Sequence, residues 1–129
     1  MIVVDSSVFV HVLTNSADSG DLIDTLESAK EFAAPHILDL EVLNAFRKLI
    51  FKKQMSARQA NGANDVYWGF NIHRYDTHAL SPLIWSMRNN FTPYDAAYVV
   101  LAHQFDLPFL TRDKRLHSAA KAWGKVRLL

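Results

Sequence analysis

The sequence predicts one α/β domain, a three-layer α/β/α sandwich whose central sheet is mostly parallel. Short apolar, β-branched segments alternate along the chain with segments whose apolar residues recur at helical spacing. Such alternation favours right-handed crossovers, which make neighbouring strands parallel and place helices on both faces of the sheet. The 129 residues fit a single domain spanning 1–129, with no linker or internal repeat.

The first elements are predicted from a buried segment and the capping residues that follow it. Met1 to Val4 is apolar and stops at Asp5, which is typical of a buried strand. Ser6 and Ser7 can cap a helix that continues to Leu13, although Asp5 itself is an equally good cap. The chain is therefore expected to pass from strand to helix at this point.

The remaining elements follow from the same signals. In chain order they are a helix from Asp18 and Ser19 past Leu26, a strand at 31–34 closed by Pro35, helices at 36–54 and 56–68, a strand at 70–75, helices at 81–88 and 92–105, a strand at 108–110, a short helix ending at Trp123, and an edge strand at 126–129. Two of the helices are introduced by a capping residue followed by proline at the first helical position, Ser81-Pro82 and Thr92-Pro93.

Composition excludes several classes of protein. Half of the residues are hydrophobic and 21% are charged, which is typical of a globular chain rather than a disordered one. The absence of cysteine excludes disulfides, thiolate zinc sites and cysteine nucleophiles. No apolar run is long enough for a membrane helix, and the N-terminus lacks a basic segment of the secretory type. We therefore expect a cytoplasmic protein without a membrane partner.

The charges are unevenly distributed although the net charge is only +1. Residues 18–31 carry five acids and one base, whereas residues 47–58 carry five bases and no acid. This asymmetry predicts one acidic and one basic surface. The basic segment is a candidate for neutralising phosphates, although a solvated helix face has the same composition.

Four acids stand where predicted strands end or helices begin. Asp5 and Asp113 each follow a strand, and ligands of parallel α/β sheets collect at the carboxyl ends of the strands. Asp95 lies in the first turn of a helix, and Glu41 lies early in a long helix with Asn44 three residues further on. Each aspartate could simply cap a helix, and Glu41 could be a solvated acid. Spacing alone leaves both explanations open.

Four segments resemble, in order, the motifs of PIN-domain nucleases. They are IVVDSSV at 2–8, LEVLNA at 40–45, TPYDAAYV at 92–99 and LTRDKRL at 110–116. The resemblance covers essentially the whole chain and is greatest to the single-domain bacterial toxins of VapC type. It implies a ribonuclease fold and activity, a VapB-type antitoxin as partner, and a homodimer.

The resemblance also implies roles for individual residues. Asp5, Asp95 and Asp113 are expected to hold Mg²⁺, or Mn²⁺ in its place, with Glu41 completing the acidic catalytic site. Carboxylates suit these ions, and at least one of several crowded carboxylates should have a raised pKa without metal. The residues expected beside the acids are Ser6, Asn44 and Thr111. If RNA is the substrate, the basic residues near the acids are expected to contact it because of their charge; these are Arg47, Lys48, Arg112 and Lys114.

Other protein classes fit the residues less well. Receiver domains carry adjacent acids after the first strand, whereas Asp5 is followed by Ser6 and Ser7. Haloacid-dehalogenase phosphatases need an Asp-x-Asp, and Ser7 occupies its second place. The six histidines show no zinc-binding spacing. A PIN fold that binds RNA or protein without cleaving it remains an alternative.

Overall fold

The structure, a computed structural model, describes residues 1–128 and contains a five-stranded, entirely parallel sheet. The strands are β1 (Ile2–Val4), β2 (Phe32–Pro35), β3 (Ile72–Tyr75), β4 (Phe109–Thr111) and β5 (Val126–Leu128). Helices flank this sheet, which confirms the predicted fold class. Leu129, the last residue of the predicted edge strand, lies outside the described residues.

Seven helices connect the strands. They are α1 (Ser6–Thr14), α2 (Gly20–Ala29), α3 (Ile37–Phe51), α4 (Ala57–Trp68), α5 (Ser81–Ser86), α6 (Pro93–Gln104) and α7 (Lys114–Ala120), with single 3-10 turns at Ser16–Asp18 and Lys121–Trp123. Within residues 1–128, no helix is long and apolar enough to span a bilayer.

Sheet order explains where a site can form. The strands lie in the order β3-β2-β1-β4-β5, so β1 is central and the chain continues first to one side of it and later to the other. In a sheet of this order, ligands bind beyond the carboxyl ends of β1 and β4, where the winding direction changes, and this place is called the crevice below. Asp5 follows β1 and Asp113 lies two residues beyond β4, so both acids stand at this crevice.

Helix α6 starts at the same edge and lies in the hydrophobic core. Residues 96–102 of α6 are all buried, and the helix packs against β1, β2 and β4. This burial on every side explains why its sequence shows an unbroken apolar run rather than an amphipathic pattern. The first turn of α6, which contains Asp95, is thereby fixed against the centre of the sheet.

Several predicted boundaries were wrong by a few residues. Of the alternative caps predicted for α1, the structure has Asp5 and not Ser6 or Ser7. Ser81, predicted as a cap, lies inside α5, where its hydroxyl donates to the carbonyl of Thr77. Ser19 caps α2 only through its backbone, and its hydroxyl donates to the carbonyl of Asn15.

Helix α3 ends at Phe51 rather than near Gln54. Lys53 adopts a left-handed conformation with φ of 56°. The amide of Gln54 then donates to the carbonyl of Leu49, and that of Lys53 to the carbonyl of Ile50. This pair of bonds is a Schellman motif, which satisfies the last carbonyls of the helix and terminates it.

Candidate active site

Asp5 is held by donors from three directions. Its Oδ1 accepts from the backbone amide of Val8 at 3.3 Å and from Oγ of Ser7 at 2.5 Å, while the hydroxyl of Thr111 donates to Oδ2. Only 5% of Asp5 is exposed. Burial raises the pKa of Asp5 to about 6, the hydroxyl donors oppose this shift, and the charge of Glu41 adds to it.

Glu41 projects from α3 toward α1 and α6. Its Oε2 accepts from Oγ of Ser6 at 2.9 Å, and its Oε1 accepts from the hydroxyl of Tyr98 at 3.2 Å. Burial raises the pKa of Glu41 as well, with a further contribution from the charge of Asp95. The pKa of Tyr98 is raised by burial and by the neighbouring carboxylates, so its hydroxyl keeps its proton and remains a donor.

Asp95 lies in the first turn of α6, which Thr92 caps. The hydroxyl of Thr92 accepts from the backbone amide of Asp95 at 3.2 Å. Burial raises the pKa of Asp95, and the charge of Asp113 raises it further, whereas Thr92 and the charge of Arg115 lower it. Asp95 as a whole is half-buried.

Asp113 caps α7 and is exposed. Its Oδ1 accepts from the amides of Arg115 at 2.8 Å and Leu116 at 3.0 Å. Its own backbone amide donates to the hydroxyl of Thr111 at 3.0 Å, which is the same hydroxyl that donates to Asp5. Thr111 therefore connects the first and the last of the four acids.

The charge of each acid affects the carboxyl group of the next acid in space. Asp5 is affected by the charge of Glu41, Glu41 by that of Asp95, and Asp95 by that of Asp113. The fold thus brings together four carboxylates from the beginnings of α1, α3, α6 and α7. Three of them have raised pKa values, for which burial is the largest cause and the charge of a neighbouring acid a smaller one. Their mutual repulsion disfavours the fully ionised site and would be relieved by a cation.

The donor set consists only of oxygen atoms, which suits a hard divalent cation. Within residues 1–128, no three His, Asp or Glu side chains already form a group arranged to hold a metal. Mg²⁺ does not require such a cage, because it keeps several waters and is commonly bound through one or two carboxylates. The residues present are therefore chemically compatible with it.

Of the other predicted site residues, two contact the acids in the structure and the rest are exposed. The hydroxyls of Ser6 and Thr111 contact the acids, whereas Asn44 is exposed and both oxygens of Glu41 accept from Ser6 and Tyr98. A phosphate contact of Asn44 stays a prediction. The predicted RNA-binding residues Arg47, Lys48, Arg112 and Lys114 are all exposed.

Two residues of the site received no role in it from the sequence. Ser7 donates to Asp5 and accepts from the backbone amide of Arg112 at 3.0 Å, which links the start of α1 to the segment after β4. Tyr98 holds Glu41. A signal for Tyr98 existed, since it follows Asp95 by three residues and so lies on the same helix face.

A groove of about 430 Å³ adjoins the acids and is called the rim groove below. It is lined by Ser6, Ser7, Val10, His11, Thr14, Asn15, Ala45, Lys48, Leu49, Lys52 and Arg112. One end of the rim groove is thus formed by the two serines that hold Glu41 and Asp5, and its outer wall carries basic residues.

Comparisons with known proteins agree with this architecture. A sequence model of the PIN domain matches residues 2–122. Ribonuclease VapC1 of Mycobacterium tuberculosis is 36% identical over 128 residues, which cover 98% of this chain and 96% of the relative. Ribonuclease VapC9 of the same organism is 31% identical over 122 residues, which cover 95% and 93% of the two chains.

A solved structure gives the same result for the fold. PAE2754 from Pyrobaculum aerophilum superposes with a TM-score of 0.72 at 22% identity, covering 97% of this chain and 81% of that one. At this identity the likeness concerns the fold alone. With the family match and the two relatives, it follows that the chain belongs to the PIN domain family and, within it, to the VapC group.

Proposed function

We propose that this protein is a divalent-metal-dependent endoribonuclease and the toxin of a type II toxin–antitoxin pair. The observation that carries the proposal is the chain of four interacting carboxylates at the crevice beyond β1 and β4. Its similarity over nearly the full length to relatives named ribonucleases supports RNA as the substrate.

Asp5, Asp95 and Asp113 would hold the ion, directly or through water, and Mg²⁺ or Mn²⁺ fits their oxygen donors. When bound, such an ion supplies an activated water and stabilises the negative charge that develops on the phosphodiester oxygens. The protein contributes fixed ligand positions. Thr111 and Ser7 hold the carboxylate of Asp5, as described above, so little reorganisation is needed when a cation arrives.

Glu41 would complete the negative site. Its two hydroxyl donors fix both carboxylate oxygens, and burial raises its pKa above the ordinary value of a glutamate.

An apolar groove next to the rim groove supports a protein partner. It has a volume of about 820 Å³ and is lined largely by apolar residues of α1, α3 and α4, including Leu13, Leu49, Ala63 and Val66. Both grooves share Asn15, Thr14 and Leu49. An amphipathic segment of a VapB-type antitoxin could pack in the apolar groove and extend toward the acids, where an arginine would form charge-assisted hydrogen bonds.

The homodimer is also part of the proposal. Trp85 and Tyr94 are 66% and 62% exposed and line one groove on α5 and α6, and an isologous interface would remove such aromatic surface from water. The mass in solution, measured by light scattering at several concentrations, tests this assignment. A monomer at all concentrations would contradict it.

One observation favours a second candidate, a PIN fold that binds RNA or protein without cleaving it. Within residues 1–128 the acids do not yet form a group that could enclose a metal. A calorimetric Mg²⁺ titration discriminates the two candidates, because the module would bind RNA but no metal.

Brief expression in a bacterial host without antitoxin tests the proposed function. We expect growth arrest and new RNA 5′ ends within one sequence context, both abolished by Asp95→Asn. Asp106→Asn is the matched control, because Asp106 is exposed and its carboxylate forms a surface ion pair with Lys125. Normal growth and unchanged RNA ends with folded, unaltered protein would refute the toxin assignment.

A further inference from the structure

The rim groove begins at the acids and leads away from them. Oγ of Ser6 donates to Glu41 and Oγ of Ser7 donates to Asp5, and both serines line the inner end of the groove. Because the scissile phosphate must lie at the acids, the strand attached to it must leave the site along the surface. The rim groove is a continuous path for it between α1 and α3.

The charge of the groove fits a polyanion. Its described lining includes Lys48, Lys52 and Arg112, and none of these lining residues is an acid. Lys48 and Lys52 lie four residues apart at the carboxyl end of α3, so they occupy one face of the helix. Both side chains are exposed. Successive ammonium groups along one wall suit successive phosphates of a strand.

Neighbouring cations are not equivalent to these two lysines. The guanidinium of Arg47 lies over the ring of Phe51 at 4.5 Å and does not line the groove. Arg58, in the first turn of α4, also lies outside its lining. The basic segment 47–58 is therefore divided by the fold into a part that faces the groove and a part that does not.

We infer that the rim groove holds the sugar-phosphate backbone of single-stranded RNA next to the scissile bond, with Lys48 and Lys52 contacting its phosphates. The inference rests on the proposed function and assigns a path to its substrate. Because lysine acts as a point charge, the contacts hold the strand without reading its sequence. An acidic peptide has a similar charge and is the competing occupant that the test below distinguishes.

The test compares two double variants that each remove two positive charges. Lys48→Gln with Lys52→Gln alters the groove. Arg58→Gln with Lys121→Gln alters exposed residues outside it and is the matched control. Binding of a short, mixed-sequence, dye-labelled RNA is measured by anisotropy in chelator over a series of salt concentrations, and thermal melting verifies that both variants are folded.

We expect the groove variant to bind more weakly and to have a shallower salt dependence. The magnitude of its slope of log K against log salt should fall by about 1.4, since each lost contact to a single strand removes about 0.7. The control should keep the slope of the unaltered protein. In Mg²⁺ the groove variant should show a raised KM and a nearly unchanged kcat, because the lysines contact the strand away from the reacting atoms.

Three outcomes would overturn the inference. An unchanged slope in the groove variant, or an equal loss in both variants, would show that the groove is not the path. Weaker antitoxin binding with unchanged RNA binding would assign the groove to a protein. In each of these cases the unaltered protein would still cleave RNA, so the proposed function would be unaffected. If the unaltered protein failed to bind or cleave any RNA, the proposed function itself would be refuted.

Discussion

The carboxyl group of Asp5 both caps α1 and belongs to the acidic site. Burial raises its pKa from 3.8 to about 6. Because this folded-state value lies above the unfolded one, the folded protein binds the proton more tightly, and the free energy of unfolding falls as pH rises from about 4 through 6. At about 1.4 kcal/mol per pKa unit, ionised Asp5 destabilises the metal-free fold by roughly 3 kcal/mol at neutral pH.

Asp5→Asn should therefore stabilise the metal-free protein more at pH 7 than at pH 4. Asparagine is also a good N-cap, so the substitution removes the charge and retains much of the capping. Urea denaturation in chelator at both pH values measures the difference. Asp24→Asn, which changes an exposed carboxylate on α2, is the control and should show no such dependence. Equal effects of Asp5→Asn at the two pH values would contradict the account.

The acids of the site could be named from the sequence because each belongs to a local motif, but their supporting hydroxyls could not. Tyr98 and Glu41 are 57 residues apart, and Thr111 and Asp5 are 106 residues apart. Which hydroxyl meets which carboxylate depends on how the helices and strands pack. The metal-ligand role of the acids and the RNA contacts of the basic residues stay predictions.

At the scale of elements, α3 is fixed by two buried tyrosines that each donate to one of its carboxylates. The hydroxyl of Tyr67 donates to Asp39 at 2.6 Å, and that of Tyr98 donates to Glu41 at 3.2 Å. Asp39 also accepts from Nε of Arg74 at 2.8 Å, an ion pair that ties the start of α3 to β3. Burial raises the pKa of Asp39, but its bonds with Arg74 and Tyr67 outweigh burial and lower it overall.

These two tyrosines form a matched pair for mutation. Tyr98→Phe should lower kcat roughly tenfold or more with little change in KM, because a hydrogen bond to a charged group contributes about 1.5–3 kcal/mol and its loss frees Glu41 to move. The ring of Tyr98 should keep its stacking on Phe109, 6.0 Å away. Steady-state kinetics and thermal melting are measured on the same preparations.

Tyr67→Phe removes an equivalent hydroxyl outside the site and serves as the control. It should lower thermal stability and leave kcat unchanged. If both variants lower kcat to the same extent, the effect comes from the general packing of α3, and Tyr98 has no positioning role.

The elements themselves were largely predictable, and their ends were not. Periodicity located all five strands and the seven helices, including the weakly indicated strands at 31–34 and 70–75. Their true limits depend on pairing: Pro35 extends β2 because it pairs with Tyr75, and β3 begins only at Ile72, opposite Phe32. Such register is set by a neighbouring strand, which local sequence does not show.

At the scale of the whole molecule, the order of the strands determines which acids lie close together. Crossovers could be predicted from alternation, but the order β3-β2-β1-β4-β5 could not, because it depends on which side of β1 each later strand joins. With β1 and β4 adjacent, Asp5 and Asp113 share one crevice although 108 residues separate them in sequence. The apolar core under α6 then fixes Asp95 near Asp113 and Glu41.

The central claim is that these acids act together on a metal ion, and cleavage by purified Asp95→Asn tests it most directly. The rate of RNA cleavage is measured for the unaltered protein and the variant, each in Mg²⁺ and in chelator, with melting temperatures on the same samples. We predict cleavage only by the unaltered protein with Mg²⁺, and a metal-free melting temperature for Asp95→Asn that is the same or higher, because repulsion is relieved. Full cleavage by the unaltered protein in chelator, or full cleavage by Asp95→Asn, would contradict the account.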